Sequence, residues 1–250
     1  MKKITTYFLT FTLILSILSQ FVSCGSNNFD TNSKSEYEVT VHYYDGITRS
    51  YTVHNYGALN AEILAPSGHI IVGLFDESGV QYSMDDCVID NWKSNIPTTL
   101  YAKYEKVTKV SYTLSKIGFD EDPKKVSFYS SRKTTWDLNS ADTLESKIIK
   151  ICECNPYADV TITVTFMGKG SELHNGNTFK YKVVVGEETI ADFKSDDLGD
   201  NYNTYTLSAR IKAKQLINSG YEINATASSN YGYEDYMVKN YVITFSFDFD

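Results

Sequence analysis

The chain has 250 residues, 31 acidic side chains against 23 basic ones, and a formal net charge of -8. That balance argues against nucleic acid as a partner, because neutralising phosphates needs a basic footprint. Abundant Tyr, Phe, Val, Ile and Thr with only 4 Pro predict a mainly β body with room for two modest domains, and 4 Cys are too few for a disulfide scaffold.

Residues 1–23 begin with Lys2 and Lys3, continue through an apolar stretch from Tyr7 to Leu18 that is too short to span a bilayer as a mature helix, and end on Ser23 before Cys24. Phe21-Val22-Ser23-Cys24 resembles the lipobox of bacterial lipoproteins. The resemblance implies cleavage before Cys24, a diacylglyceryl group on its sulfur and acylation of the freed amine. The alternative is an ordinary secretory peptide in which Cys24 is an incidental thiol. Two or more acyl chains hold a protein stably at a membrane, whereas one binds only reversibly. Residues 24–36 contain almost nothing apolar and read as a flexible tether. The expected location is the cell envelope, lipid-anchored to a bacterial membrane, with the outer membrane or cell surface favoured over the inner membrane. Losing the leader removes Lys2 and Lys3 but no acid, so the mature chain is more acidic still.

Residues 37–105 form the first predicted module. Tyr37, Val39, Val41 and Tyr43 alternate with Glu38, Thr40, His42 and Tyr44, the period of a half-buried strand. Asp45-Gly46 tolerates positive φ at both centres of a type I′ turn, and Ile47 to Val53 returns as the second arm of a hairpin. Pro66-Ser67-Gly68 punctuates the chain before His69 to Phe75, an apolar run suited to a strand buried on both faces and closed by Glu77-Ser78-Gly79. A last strand runs from Thr98 to Tyr104. The hairpin, Tyr56-Gly57-Ala58, the Pro66 to Phe75 segment and Leu100-Tyr101-Ala102-Lys103-Tyr104 together resemble the Listeria–Bacteroides, or internalin B-type, repeat. Leu74 and Tyr104 stand where that family usually has Trp. The resemblance implies a small β-grasp-like unit of bacterial surface proteins, acting as a spacer or as an adhesion unit, with no catalytic residues.

Residues 106–250 predict an antiparallel β-sandwich, immunoglobulin-like or jelly-roll. Val110, Tyr112 and Leu114 open it. Further inward faces are Val160, Ile162, Val164 and Phe166; Phe179, Tyr181, Val183 and Val185; Tyr205, Leu207, Ala209 and Ile211; Ile223, Ala225 and Ala227; and Tyr241, Ile243, Phe245, Phe247 and Phe249. The main helix is expected over Asp142 to Ile151, with Leu144, Ile148 and Ile151 on one stripe and Asp142 as its cap. With Cys24 lipidated, Cys87, Cys152 and Cys154 are an odd set that allows at most one internal disulfide and a spare thiol, and Cys152 and Cys154 are expected to be buried structural thiols sharing one face of a strand.

Nucleophile elbows, phosphate loops, zinc-helix motifs and dinucleotide fingerprints do not occur in the mature sequence, and no catalytic residues are assigned. A carboxylate pair of the glycosidase kind has no motif by which a sequence would reveal it. Asp196, Asp197 and Asp200 gather hard oxygen ligands in one loop and form a candidate Ca²⁺ site, although acidic loops are commonly just solvated. Tyr231, Tyr233 and Tyr236 form an aromatic loop able to stack on a sugar or anchor a protein, or else to cap the core. Two functions follow as expectations: a non-catalytic binding or adhesion lipoprotein with a protein or glycan partner, or a carbohydrate-binding or glycan-processing component.

Overall fold

The computed structural model describes residues 35–116, 124–127, 129–139, 143–170, 176–230 and 236–249. The leader, Cys24 and the tether up to residue 34 lie outside the described residues.

The first module contains β1 (Glu36–His42), β2 (Thr48–His54), β3 (Leu59–Asn60), β4 (His69–Phe75), β5 (Val88–Ile89) and β6 (Thr99–Lys106). β1 and β2 pair antiparallel around Asp45 and Gly46, whose φ values of 52° and 75° are those of the expected turn. β6 returns parallel to β1, giving a four-stranded sheet in the order β2-β1-β6-β4. Tyr37, Val39, Val41 and Tyr43 are buried, as their period of two requires. Trp92, on a loop with no periodic signal, is fully buried beside Tyr37 and held by backbone bonds to Tyr56 and Gly57.

β4 buries Ile71, Gly73 and Leu74 and leaves the other positions half-covered. A register shift falls between Ile71 and Gly73, where Gly73 adopts a φ of 151°. A Cβ at Gly73 would collide with the carbonyl oxygen of Ser83, and the Ser83 hydroxyl accepts the amide of Leu74 at 3.0 Å. The bulge thus holds the 83–84 loop against the sheet.

The second body contains β7 (Ser111–Lys116), β8 (Lys124–Val126), β9 (Arg132–Asp137), α1 (Thr143–Cys154), β10 (Asp159–Gly170), β11 (Phe179–Val185), β12 (Glu188–Ser195), β13 (Gly199–Lys212), α2 (Ala213–Asn218), β14 (Glu222–Ser229) and β15 (Tyr236–Asp248). One sheet runs β13-β10-β15-β7 with β8 also on β15; the other runs β12-β11-β14-β9. β7 and β8 meet successive stretches of β15, so they act as one interrupted rail. The pairs then nest: β7 with β15, β9 with β14, β10 with β13, and β11 with β12. A long hairpin whose halves pair first with last and middle with middle, rolled until β10 also meets β15 and β11 meets β14, is a jelly roll. That topology selects the jelly-roll expectation over the immunoglobulin-like one.

Between the sheets the inward residues of β10, β11, β14 and β15 form one core, where Phe166 stacks on Tyr181 at 4.0 Å between ring centroids. β15 keeps Tyr236 and Val238 inward, then Tyr241 and Ile243, because a bulge at Asn240 (φ 57°) absorbs the odd residue. The outer face of the first sheet carries cross-strand hydroxyl pairs, Thr113 with Thr244 at 3.0 Å and Thr163 with Ser208 at 2.9 Å. Two expectations are corrected here. Tyr205, Leu207 and Ala209 are only half-buried, because β13 is an edge strand; Val110 is exposed, because β7 starts one residue later.

The expected helix is present but runs on to Cys154, and its proposed cap, Asp142, lies outside the described residues. Cys152 and Cys154 therefore sit on a helix rather than a strand, and two residues of helix turn them to different sides. Cys152 joins Ile148 and Ile151 in the sandwich core, whereas Cys154 enters the module's core and its sulfur accepts the Ile71 amide at 3.3 Å.

Asn155 ends α1, and Pro156 prevents its continuation. The buried Asn155 side chain accepts the Gly68 amide at 2.9 Å through Oδ1, and its Nδ2 donates to the His69 carbonyl at 2.9 Å and the Ile151 carbonyl at 3.1 Å. Lys150 pairs with Asp85 at 2.6 Å, and Val107 donates to the Gly68 carbonyl at 2.8 Å. Module and sandwich are thus fastened along one seam.

Gly73→Ala is expected to destabilise the protein by at least about 2 kcal/mol, since positive φ and a backbone collision act together. Chemical denaturation should show the loss, and a variant as stable as the parent would contradict this account of the bulge.

Candidate functional site

Of the three tyrosines of the aromatic loop, Tyr236 alone lies among the described residues, and it is turned inward. Tyr236 is the first inward residue of β15, fully buried, with its ring 5.5 Å from that of Phe179 and its hydroxyl donating to the Asp196 carbonyl at 2.9 Å. It caps the core rather than meeting a ligand. Tyr231 and Tyr233 lie outside the described residues.

The acidic loop between β12 and β13 is spent on its own geometry. The Asp197 carboxylate accepts the Gly199 amide at 2.7 Å, the Ser195 hydroxyl donates to the Asp197 carbonyl at 2.6 Å, and the Asp196 carbonyl holds Tyr236. Asp200 already belongs to β13. Among the described residues no group of three His, Cys, Asp or Glu side chains converges, and the carboxylates of Asp196, Asp197 and Asp200 are not gathered into one.

Cys87, Cys152 and Cys154 are free and buried, which for Cys152 and Cys154 is the expected state and which leaves none of the three in a disulfide. Burial pushes the Cys87 and Cys152 thiols up to about 12 and raises that of Cys154. A nucleophile needs the opposite shift.

An open hollow of about 780 Å³ lies on the module by Asp76, Pro97 and Tyr101, and two clefts lie on the seam, at residues that belong to no motif. A first cleft of about 490 Å³ is lined by Tyr44, Ile63 and Leu64 of the module and by Asn155, Tyr157 and Lys212 of the sandwich, among others. Tyr157 is 75% exposed at its edge. A second cleft, about 510 Å³, lies between the β6–β7 connection and α1. Lys106, Lys109, Lys147 and Lys150 line it together with Asp85 and Glu105, over an apolar floor that includes Ile70, Leu144 and Ile151. Both volumes are in the range of small-ligand sites. Their walls come from segments far apart in the chain, so only folding discloses them. The one sequence signal was lysine recurring along Lys103, Lys106 and Lys109 and again at Lys147 and Lys150. No described helix is long and apolar enough to cross a membrane.

No family model matches the chain, and no curated protein matches it. Among solved structures, part of the chain is similar to dimeric latent PorU from Porphyromonas gingivalis, with TM-score 0.35 and 8% identity over 56% of this chain and 13% of that one. It is also similar to the CBM36-1 domain of a multidomain xylanase from the hindgut metagenome of Trinervitermes trinervoides, with TM-score 0.29 and 5% identity over 54% of this chain and 96% of that one. A third likeness is to the VP2 subviral particle of infectious bursal disease virus, with TM-score 0.33 and 9% identity over 67% of this chain and 41% of that one.

The buried thiols yield a direct expectation. With pKa values near 12, about one Cys87 or Cys152 in ten thousand is ionised at pH 8, so the native protein should resist a thiol-specific disulfide reagent. The same protein in denaturant should react at Cys87, Cys152 and Cys154, and fast reaction in the native state would contradict the burial described.

Proposed function

We propose that this chain is a lipid-anchored protein of the bacterial cell envelope that binds a partner without transforming it, using the seam between its two β bodies as the contact surface. The observation that carries this reading is the pair of clefts built jointly by module and sandwich, since a spacer that merely held the sandwich away from the membrane would not need to share walls with it. The β2-β1-β6-β4 order, with the last strand parallel to the first at the sheet centre, supports the β-grasp-like unit implied by the repeat resemblance. Lys2, Lys3, the apolar run and Cys24 support the anchor. β1 begins at Glu36, so the tether spans the interval between Cys24 and the folded body.

Expression of the full chain in a bacterial host tests the anchor. The purified product should begin at Cys24 with added acyl mass and partition into the detergent phase, and Cys24→Ser should abolish the acyl mass. A parent protein without acyl mass at its amino terminus would sink the envelope reading.

A carbohydrate ligand is the second reading, favoured by the exposed ring of Tyr157 at the edge of the first cleft. A glycan array with the acylated protein and with Tyr157→Ala decides it. Specific sugar binding lost in the variant supports a glycan partner at this cleft; no sugar bound by the parent removes the reading.

A further inference from the structure

The second seam cleft concentrates positive charge in a protein that is acidic as a whole. Four lysines and two carboxylates line it, an excess of two positive charges, whereas the full chain carries -8. One lysine is already neutralised locally, Lys150 on Asp85 at 2.6 Å. Lys109 lies over the face of the buried Tyr112 ring, 5.1 Å from its centroid. Among the described residues Lys106 and Lys147 form no ion pair, and Glu105 is the one remaining carboxylate of the lining.

The two rims have different origins. Lys106 ends β6 and Lys109 precedes β7, so the chain connecting module to sandwich supplies one rim. Lys147 and Lys150 lie one turn apart on the face of α1 that also carries Leu144 and Ile151, so the helix supplies the other. The seam bonds that fix α1 to the module also fix the separation of the rims. Gathering like charges across a fixed gap opposes folding unless something negative enters. Stability alone would not select this arrangement, and a counter-charge would reward it.

We propose that this cleft is a binding site for a ligand bearing two or more anionic groups, phosphate or carboxylate, carried on a small molecule or on one stretch of an acidic saccharide. Lysine suits such a ligand: its ammonium is a compact point charge on a flexible stem and meets an anion without the paired geometry that arginine imposes. The floor of Ile70, Leu144 and Ile151 accepts the apolar or ring portion between the charged groups. The inference deepens the reading of the seam as a contact surface. It does not depend on the anchor, because a protein without acyl mass would keep the cleft, whereas an empty cleft would leave the acyl mass unchanged.

The test is calorimetric titration of the purified full protein with inorganic tripolyphosphate, with an oligogalacturonate and with a neutral galactose oligomer, at low ionic strength. The parent should bind at least one of the two anions and not the neutral oligomer, and the anion that binds should raise the melting temperature. Lys106→Gln/Lys109→Gln/Lys147→Gln should weaken that binding at least about tenfold. It should also stay folded, since relieved repulsion offsets the loss of the Lys109 contact with the Tyr112 ring. Lys180→Gln/Lys182→Gln/Lys214→Gln, which removes the same charge from exposed positions elsewhere, should bind as the parent does. Phosphate binding alone or carboxylate binding alone identifies the anionic group. Equal losses in the two triple variants would show only diffuse electrostatics, and no anion bound by the parent would exclude the site; either result overturns the proposal.

Discussion

The side-chain amide of Asn155 is the joint on which the rest of the molecule depends. One group, buried at the end of α1, accepts from Gly68 and donates to His69 in the module while donating to Ile151 in its own helix. The bond to Ile151 is buried and those to Gly68 and His69 are part-buried, so losing the amide would leave a donor and an acceptor of the module without this partner, at up to about 1–3 kcal/mol apiece. The helix it terminates is amphipathic in an unusual sense, with Ile148, Ile151 and Cys152 in one core and Cys154 in the other. A helix shared between two cores cannot move with one body alone.

That constraint explains where the clefts lie. The two clefts take their walls from both bodies at once. Docking one against the other along α1 leaves a groove on either side of the joint, one bordered by Tyr157 and Lys212, the other by the lysines of α1 and of the β6–β7 connection. Both grooves derive from how the two bodies meet, and they persist only while that meeting is fixed.

Much of the fold could be read from residue patterns, because strands buried on one face write their period of two directly into the sequence. Val160 to Phe166 and Phe179 to Val185 alternate and are buried as they alternate. Asp45-Gly46 announced its turn through the φ it tolerates. Failure came where tertiary contact overrides local pattern. Cys152-Glu153-Cys154 was short enough to pass for strand, and only packing against two cores makes it the end of a helix. Tyr236 looked like part of an exposed loop because nothing local marks the bulge at Asn240 that keeps both halves of β15 facing inward. Within the candidate segments, Tyr236 and the Asp197 carboxylate are engaged in hydrogen bonds of the fold, Tyr236 with the Asp196 carbonyl and Asp197 with the Gly199 amide. The lysine cleft joins positions 106–109 to 147–150 and depends on a fixed seam, so no single segment could have shown it.

The most direct test of the joint uses the two tryptophans, one in each body: Trp92 in the module core and Trp136 in the sandwich core. Single-tryptophan proteins, made with Trp136→Phe or Trp92→Phe, report the urea unfolding of module and sandwich separately. With Asn155 in place the two midpoints should coincide, and in Asn155→Ala they should part, one body unfolding before the other. Midpoints that already differ with Asn155 present, or that still coincide after its removal, would contradict the claim that this amide is the contact of the seam that couples the unfolding of the two bodies.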